Sequence, residues 1–351
     1  MDDLAAASTH VGCDRLQLER VTSRAGLVAL RPEWDSLWAS LPHRIPFLHS
    51  GWMYAWWDTF GTGELRVLVF RQNTRVVAII PLYLSRAADG IGELRFVGGG
   101  VSDYLDLLVI PDAVFPVLKA FELVLESWPD EWTFCAFDHL PPDSALLQMH
   151  TPPGTLDTRA ADEPCLILRL PPSTDRLPEA IGSRMAKNIR YQRRRAEQIG
   201  DITVQHASSQ TVAHALDTLF CLHQMRWQQS GGGVLADSSV RAFHRAAAPA
   251  LLNAGTLRLH VLRIGGQAAA AYFGFHVAGR EYFYISGFDP QFASVSAGTL
   301  SLTVAIERAV TEGASTFNFL SGAEPYKYHW KAADHPRISR YLRRSCREGI
   351  A

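Results

Sequence analysis

The sequence contains no CxxC pair and no apolar run long enough to cross a bilayer, and each absence excludes a class of protein. The five cysteines, Cys13, Cys135, Cys165, Cys221 and Cys346, lie far apart, so neither a disulfide framework nor a zinc ribbon is expected. The longest apolar stretches, such as Val76–Leu84, fall well short of the ~20 residues a membrane-spanning helix needs. Met1–Arg15 carries Asp2, Asp3 and Asp14 and has no basic segment leading into an apolar one, so it does not read as a signal peptide, and a reducing cytoplasm is expected. Net charge is only −1, which gives no general attraction for nucleic acid or an anionic membrane. A Walker loop, HExxH, GxSxG and a Rossmann glycine fingerprint after a first strand are also missing. The thirteen histidines are thinly spread without metal-ligand spacing, so no metal is expected.

What remains is a folded globular composition, 47% hydrophobic and 20% charged, in a chain of 351 residues that is too long for one ordinary core. Two domains are expected, 1–162 and 163–351, with the Pro-rich stretch Pro141–Pro164 as a short helix plus connection. In the first half, a strand at Leu16–Val21 precedes helices near Leu27–Ser40 and Gly51–Thr59. The second helix is dense in aromatics and reads as a core anchor. Extended runs follow at Leu65–Arg71, Val76–Leu84, Leu94–Val97 and Tyr104–Val109, then a helix at Ala113–Ser127 and a strand at Trp132–Phe137. In the second half, the pattern predicts a basic helix over Ser183–Ile199 whose buried face is Ile189, Ala196 and Ile199. Helices at Gln210–Gln229 and Ser238–Asn253 and strands at Leu257–Ile264, Gln267–His276 and Glu281–Phe288 come next. A helix at Thr299–Thr311, a strand at Thr316–Leu320 and a last strand within Arg337–Arg344 complete it.

The halves resemble each other. Gly63–Arg71 aligns without a gap on Gly255–Arg263, with Gly, Leu, Arg, Val and Arg coincident. Each copy goes on to further strands, a helix and an aromatic-X-aromatic segment, Trp132-Thr133-Phe134 and Phe317-Asn318-Phe319. Internal duplication is the reading this supports.

The strand Glu281–Phe288 runs through Asp289-Pro290 into small residues, Ala293-Ser294-Val295-Ser296-Ala297-Gly298, and a helix begins at Thr299. An ordinary β–α connection has this pattern. So does a cradle in which backbone N–H groups and a helix dipole hold a diphosphate such as that of coenzyme A. The pantetheine arm would then run beside Ser286 and Phe288, and a strand N–H would polarise the thioester carbonyl.

The strand–loop–helix–strand followed by Phe319, Gly322, Glu324, Pro325, Tyr326, Lys327 and Trp330 resembles the GNAT acetyltransferases of the CelD-like branch. That branch is associated with cellulose and exopolysaccharide biosynthesis and is related to the FemAB and FemX transferases. The basic segment Ser183–Arg195 and Leu222–Trp227 with Gly231–Gly233 share the resemblance, which covers most of the chain and is strongest from Arg184 to Trp330. Two departures stand out. Asn318 occupies the acidic position at the strand end, and of the pattern Arg/Gln-X-X-Gly-X-Gly/Ala only Gly298 is present, with Ala293 and Ser296 at the other sites.

The resemblance implies an α/β (α+β) fold of tandem GNAT-like domains, each a mixed, mostly antiparallel sheet flanked by helices. The first would be a degenerate copy shaping the acceptor cleft. The second would be a transferase moving an acyl group, acetyl or another, from acyl-CoA to an amine or hydroxyl of a small-molecule, sugar or peptide acceptor. Ser286, Phe288, Ser294, Val295, Ser296, Ala297, Gly298 and Thr299 are the expected donor site. Glu324 is the expected base, Tyr326 and Tyr328 the candidate acids and His329 a proton relay. Arg190, His223, Arg226, Tyr284 and Lys327 are expected to contact substrate. The basic helix, with Lys187, Arg190 and Arg194 near one face and Tyr191 alongside, reads as recognising a phosphate of the coenzyme or of a phosphorylated acceptor, as serving a tRNA donor, or as a solvated charged face; a small phosphate is favoured over tRNA because the chain is near neutral. A FemX-like aminoacyl-tRNA-dependent transferase and a non-catalytic scaffold in exopolysaccharide assembly are the alternatives the same resemblance carries.

Overall fold

A computed structural model describes residues 16–86, 92–128, 131–228, 231 and 233–344. The leader reading at the start of the chain, Cys13, Gly232 and Cys346 lie outside the described residues. The chain forms two compact units, residues 1–162 with 336–351, and residues 163–335.

Unit 1 runs β1 (Leu16–Val21), α1 (Arg24–Ser40), α2 (Ser50–Phe60), β2 (Glu64–Leu65), β3 (Val67–Gln72), β4 (Arg75–Ile80), β5 (Leu82–Arg86), β6 (Gly92–Phe96), β7 (Leu108–Val109), α3 (Val114–Ser127), β8 (Phe134–Leu140) and β9 (Thr155–Ala161). It is completed by β17 (Ile338–Arg344) from the far end of the chain. A four-stranded sheet has the order β1-β3-β4-β7 and a six-stranded one β2-β5-β6-β8-β17-β9. The aromatic helix α2 anchors this core. Buried indoles need a partner for their N–H, and Trp52 donates to Ser102 Oγ at 2.9 Å while Trp56 donates to the Gly99 carbonyl at 2.8 Å. Those acceptors sit on the Gly98–Ser102 turn, where Gly98 and Gly100 hold φ of 105° and 80°.

Unit 2 runs β10 (Cys165–Arg169), α4 (Leu177–Ile181), α5 (Ser183–Ile199), β11 (Ile202–His206), α6 (Val212–Trp227), α7 (Ser238–Asn253), β12 (Leu257–Ile264), β13 (Gln267–Val277), β14 (Arg280–Phe288), α8 (Ala297–Thr311), β15 (Thr316–Ser321), α9 (Pro325–His329) and β16 (Ala333–His335). One seven-stranded sheet has the order β11-β12-β13-β14-β15-β10-β16, and β14 with β15 is its parallel pair.

The two units share a strand plan. Against β4, β3 shifts register between Phe70 and Arg71; against β13, β12 shifts between Leu262 and Arg263. In the gap-free alignment Phe70 falls on Leu262 and Arg71 on Arg263, so the irregularity occupies the same place in both copies. Each unit also has one parallel strand pair, β6 with β8 and β14 with β15.

Several sequence expectations differ from the structure. Pro141–Pro164 contains β9, whose alternation is weak because it is a largely exposed strand. Of Tyr104–Val109 only Leu108–Val109 is strand. Trp132 and Thr133 precede β8, so that half of the aromatic-X-aromatic match lies ahead of the strand. The tail strand β17 pairs with β8 and β9 in unit 1 instead of closing unit 2, its alternating residues fitting it between those two strands. On α5, Ile189 and Ala196 are buried as the spacing requires, but Ile199, in the last turn, is 54% exposed.

Candidate functional site

The site is organised by β14. Its neighbour β13 pairs with it regularly except between Phe273 and Gly274, where Ile285 faces Phe273 and Phe283 faces Gly274, leaving Tyr284 as the extra residue. Such a bulge reverses which side chains face which side of the sheet. Phe283 packs in the core with Tyr272, Leu302 and Ile306, on the α8 side. Four residues on, Gly287 presses against the α6 backbone: a Cβ there would lie 2.2 Å from the His223 nitrogen. In a regular strand these two positions would share a face.

On its other side β14 pairs with β15 only through Arg280–Tyr282, opposite Thr316–Asn318. Among the described residues the ladder ends there, although β14 continues to Phe288. Beyond Tyr282 the β14 edge on this side has no ladder with β15. Leu320, at φ 58°, turns the end of β15, and the Asn318 Oδ1 accepts the Leu320 N–H at 2.8 Å. An amide oxygen meets that backbone donor as well as a carboxylate oxygen would.

After β14 the chain does not stay a loop. Asp289 accepts the Gln291 N–H at 2.9 Å and caps a 3-10 turn over Pro290–Val295; Ser296 then takes a left-handed conformation (φ 52°), and α8 starts at Ala297. Val295 and Ala297 turn their side chains into the core beside Leu300 and Ala270, so only their backbone can meet a ligand. Ser294 is exposed, and Ser296, Gly298 and Thr299 are half-buried. The first-turn amides of α8 have no carbonyl within the helix to bond and lie at the positive end of its dipole. Gly298 lets α8 sit close to the strand end, since a Cβ there would be 3.3 Å from the Phe288 ring. Arg195 of α5 donates to the Ser294 carbonyl at 2.8 Å.

Beside this edge α6 brings Arg226. It donates to Ser286 Oγ at 3.1 Å, and its guanidinium lies 5.0 Å from the Trp227 ring centre and 5.3 Å from that of Phe288. Burial lowers its pKa, while the neighbouring Tyr326 and Glu324 oppose that shift. The Tyr326 phenol is pushed well above its ordinary range, first by burial and then by Glu324, with Arg226 acting the other way. Arg226, Glu324 and Tyr326 therefore share one electrostatic environment, and Arg226 joins it to Ser286 and Phe288.

Glu324 immediately precedes the short helix α9 and is exposed; its carboxylate folds over Gly322, whose Cβ would lie 2.3 Å from Oε2. Gly322 also has φ 110°, so this turn excludes a side chain twice over. Lys327 is 2% exposed and directs its ammonium at the Ser321 carbonyl (2.5 Å), the Gly322 carbonyl (3.1 Å) and Glu324 (2.8 Å). An ammonium has three donors, and here all are engaged inside one turn. Lys327 thus holds Glu324 in position.

The remaining expected residues are placed elsewhere in unit 2. Tyr328 is exposed and donates to Asp334 Oδ1 at 2.8 Å. His329 is exposed on α9. His223 is buried in the α6–β14 contact, its ring 6.2 Å from that of Trp227. The Tyr284 side chain sits in an aromatic cluster with His244, Phe273 and Phe275, so its contribution to the β14 edge is its backbone. Arg190 is exposed on α5. Sequence reasoning did not single out the bulge, Gly287 or Arg195. Gly287 alone carried a signal, a glycine within a strand of large residues.

Residues 183–328 match the family model of the acetyltransferase (GNAT) domain, so unit 2 carries a domain of GNAT type. Among solved structures, FemX is similar at a TM-score of 0.64 and 11% identity, covering 93% of this chain and 96% of FemX. A conserved protein of unknown function from Bacteroides thetaiotaomicron is similar at 0.58 and 13%, covering 93% and 99%. L-PGS from Bacillus licheniformis is similar at 0.53 and 14%, covering 85% and 92%. At these identities the likeness is one of fold. No curated protein matches the sequence. Among the described residues no helix is long and apolar enough to cross a membrane, and no three His, Cys, Asp or Glu side chains gather as metal ligands.

Proposed function

We propose that unit 2 transfers an acyl group, acetyl in the simplest case, from acyl-CoA to an amine or hydroxyl of a small-molecule or saccharide acceptor. The observation that carries this is the parting of β14 from β15 after three residue pairs, with the bulge and the α8 N-terminus along the opened edge. A pantetheine arm lying on that edge takes up strand-like hydrogen bonds, and the diphosphate reaches the first-turn amides around Gly298 and Thr299.

The chemistry then falls to the neighbouring side chains. The acceptor nitrogen or oxygen attacks the thioester carbonyl, and Glu324 removes its proton, directly or through a water. A backbone N–H of β14 holds the developing oxyanion. When the C–S bond breaks, the Tyr326 phenol, kept protonated by its burial, gives its proton to the thiolate. Arg226 orients Tyr326 and Ser286.

Thermal melting with increasing coenzyme A tests the donor half. A saturable rise is expected, about 2.7 kcal/mol of stabilisation at a hundredfold excess over Kd. The catalytic half is tested by Glu324→Gln, which is expected to slow thiol release from acyl-CoA about 100-fold or more while leaving the melting shift intact. An unshifted melt refutes the donor; unchanged thiol release removes Glu324 as base.

A further inference from the structure

The exposed face of α5 has a surplus of positive charge that the transfer chemistry does not use. Lys187, Arg190, Tyr191 and Arg194 are all exposed and recur at intervals of three and four, which stacks them on one side of the helix. Like charges at that spacing repel. Arg193 is relieved by Glu307 at 2.9 Å, but among the described residues no carboxylate lies within ion-pair distance of Lys187, Arg190 or Arg194. The Tyr191 ring is 53% exposed, with the Arg195 guanidinium carbon 5.6 Å from its centre. The same Arg195 bonds the Ser294 carbonyl. One side chain therefore ties an open aromatic face, set among unpaired cations, to the turn that precedes α8.

We propose that this face of α5 binds the 3′-phosphoadenosine end of the donor, with Tyr191 stacking on the adenine and Arg190 and Arg194 holding the ribose 3′-phosphate. This rests on the acyl-CoA reading and names which part of the donor gives affinity. An arginine pair suits a phosphate dianion through paired N–H donors, and an aromatic ring flanked by arginine is a stacking surface for a base. A single nucleotide fits better than a long polyanion, because the whole chain is nearly neutral. Calorimetric titration of the full chain with coenzyme A and with 3′-dephospho-coenzyme A tests it. Charge-assisted bonds of this kind predict that the dephospho form binds about ten-fold more weakly or worse. In Arg190→Ala/Arg194→Ala the two ligands should converge to within roughly two-fold, and in Tyr191→Ala both should weaken alike. All three side chains are exposed, so circular dichroism should show an unchanged fold. Equal affinities in the native chain, or a gap that survives the double variant, overturns this inference and leaves the acyl-CoA reading standing. No binding of either ligand overturns both. Tight, steeply salt-dependent binding of poly(A) that the double variant abolishes overturns it in favour of an RNA-linked donor.

Discussion

Gly287→Ala is the most demanding test of how the site is assembled. The added Cβ would lie 2.2 Å from the His223 nitrogen and 2.5 Å from the Leu222 carbonyl carbon. These are backbone atoms of α6, so no side chain can rotate aside; the helix itself must retreat from β14. Overpacking a tight contact costs about 1–3 kcal/mol, and an obstruction by backbone belongs at the upper end. For a unit of this size, about 3 kcal/mol lowers Tm by about 6–12 °C. Since α6 also carries Arg226 to Ser286, the retreat should weaken coenzyme A binding along with stability. Gly298→Ala is the control. Its Cβ would meet only the Phe288 ring, at 3.3 Å. Alanine also favours the first turn of a helix, so the stability should stay within about 1 kcal/mol of the parent. Differential scanning calorimetry of both variants decides the matter. If Gly287→Ala melts with the parent, α6 is not seated on β14 at this point, and the placement of Arg226 beside the opened edge is wrong.

Gly298→Trp should fill the space over the α8 amides and abolish the coenzyme A melting shift while leaving the unliganded Tm close to that of the parent; a retained shift would place the diphosphate elsewhere. Acid should weaken unit 2 through His244, fully buried on α7, where desolvation lowers the pKa from 6.5 to about 4. The unfolded chain takes up this proton first, so the contribution is complete above pH 6.5 and falls away toward pH 4, by on the order of 3 kcal/mol. Urea unfolding at stepped pH should show that slope flattened in His244→Phe, and an identical slope in the variant assigns the acid sensitivity to other groups.

Much of the fold was legible because its elements have a single period. The basic helix Ser183–Ile199 and the strands Ile202–His206 and Leu257–Ile264 fall where amphipathic spacing and alternation put them. β9 was not legible, since an exposed strand lacks the alternation that a buried face imposes. The small-residue segment 293–298 read as a loop because its capping is local: Asp289 bonds the Gln291 amide and Ser296 goes left-handed, neither of which shows in hydrophobic pattern. At the site, residue types were more informative than their assignments. Glu324, Tyr326 and Arg226 do come together, but Lys327, an apparent surface cation, is buried under its own turn. Tyr328, one residue further, is committed to Asp334. The bulge at Tyr284 left no trace in sequence, because it is defined by a count of partners on the neighbouring strand.

The pairing of β9 with β17 has a consequence for biosynthesis. Ala161 lies opposite Ile338, and Asp162 is fastened to the returning chain by the Arg337 carbonyl and the Ser339 hydroxyl. Topologically, residues 163–335 form an insertion in the bend of a two-stranded ribbon. During translation the insertion can condense on its own as it leaves the ribosome, whereas the surrounding sheet must wait for its penultimate member, which slots between β8 and β9 instead of joining an outer edge. Until residues 338–344 emerge, two strands on either side of the vacant lane expose unsatisfied backbone, and a stop codon ahead of Ile338 would leave them so permanently.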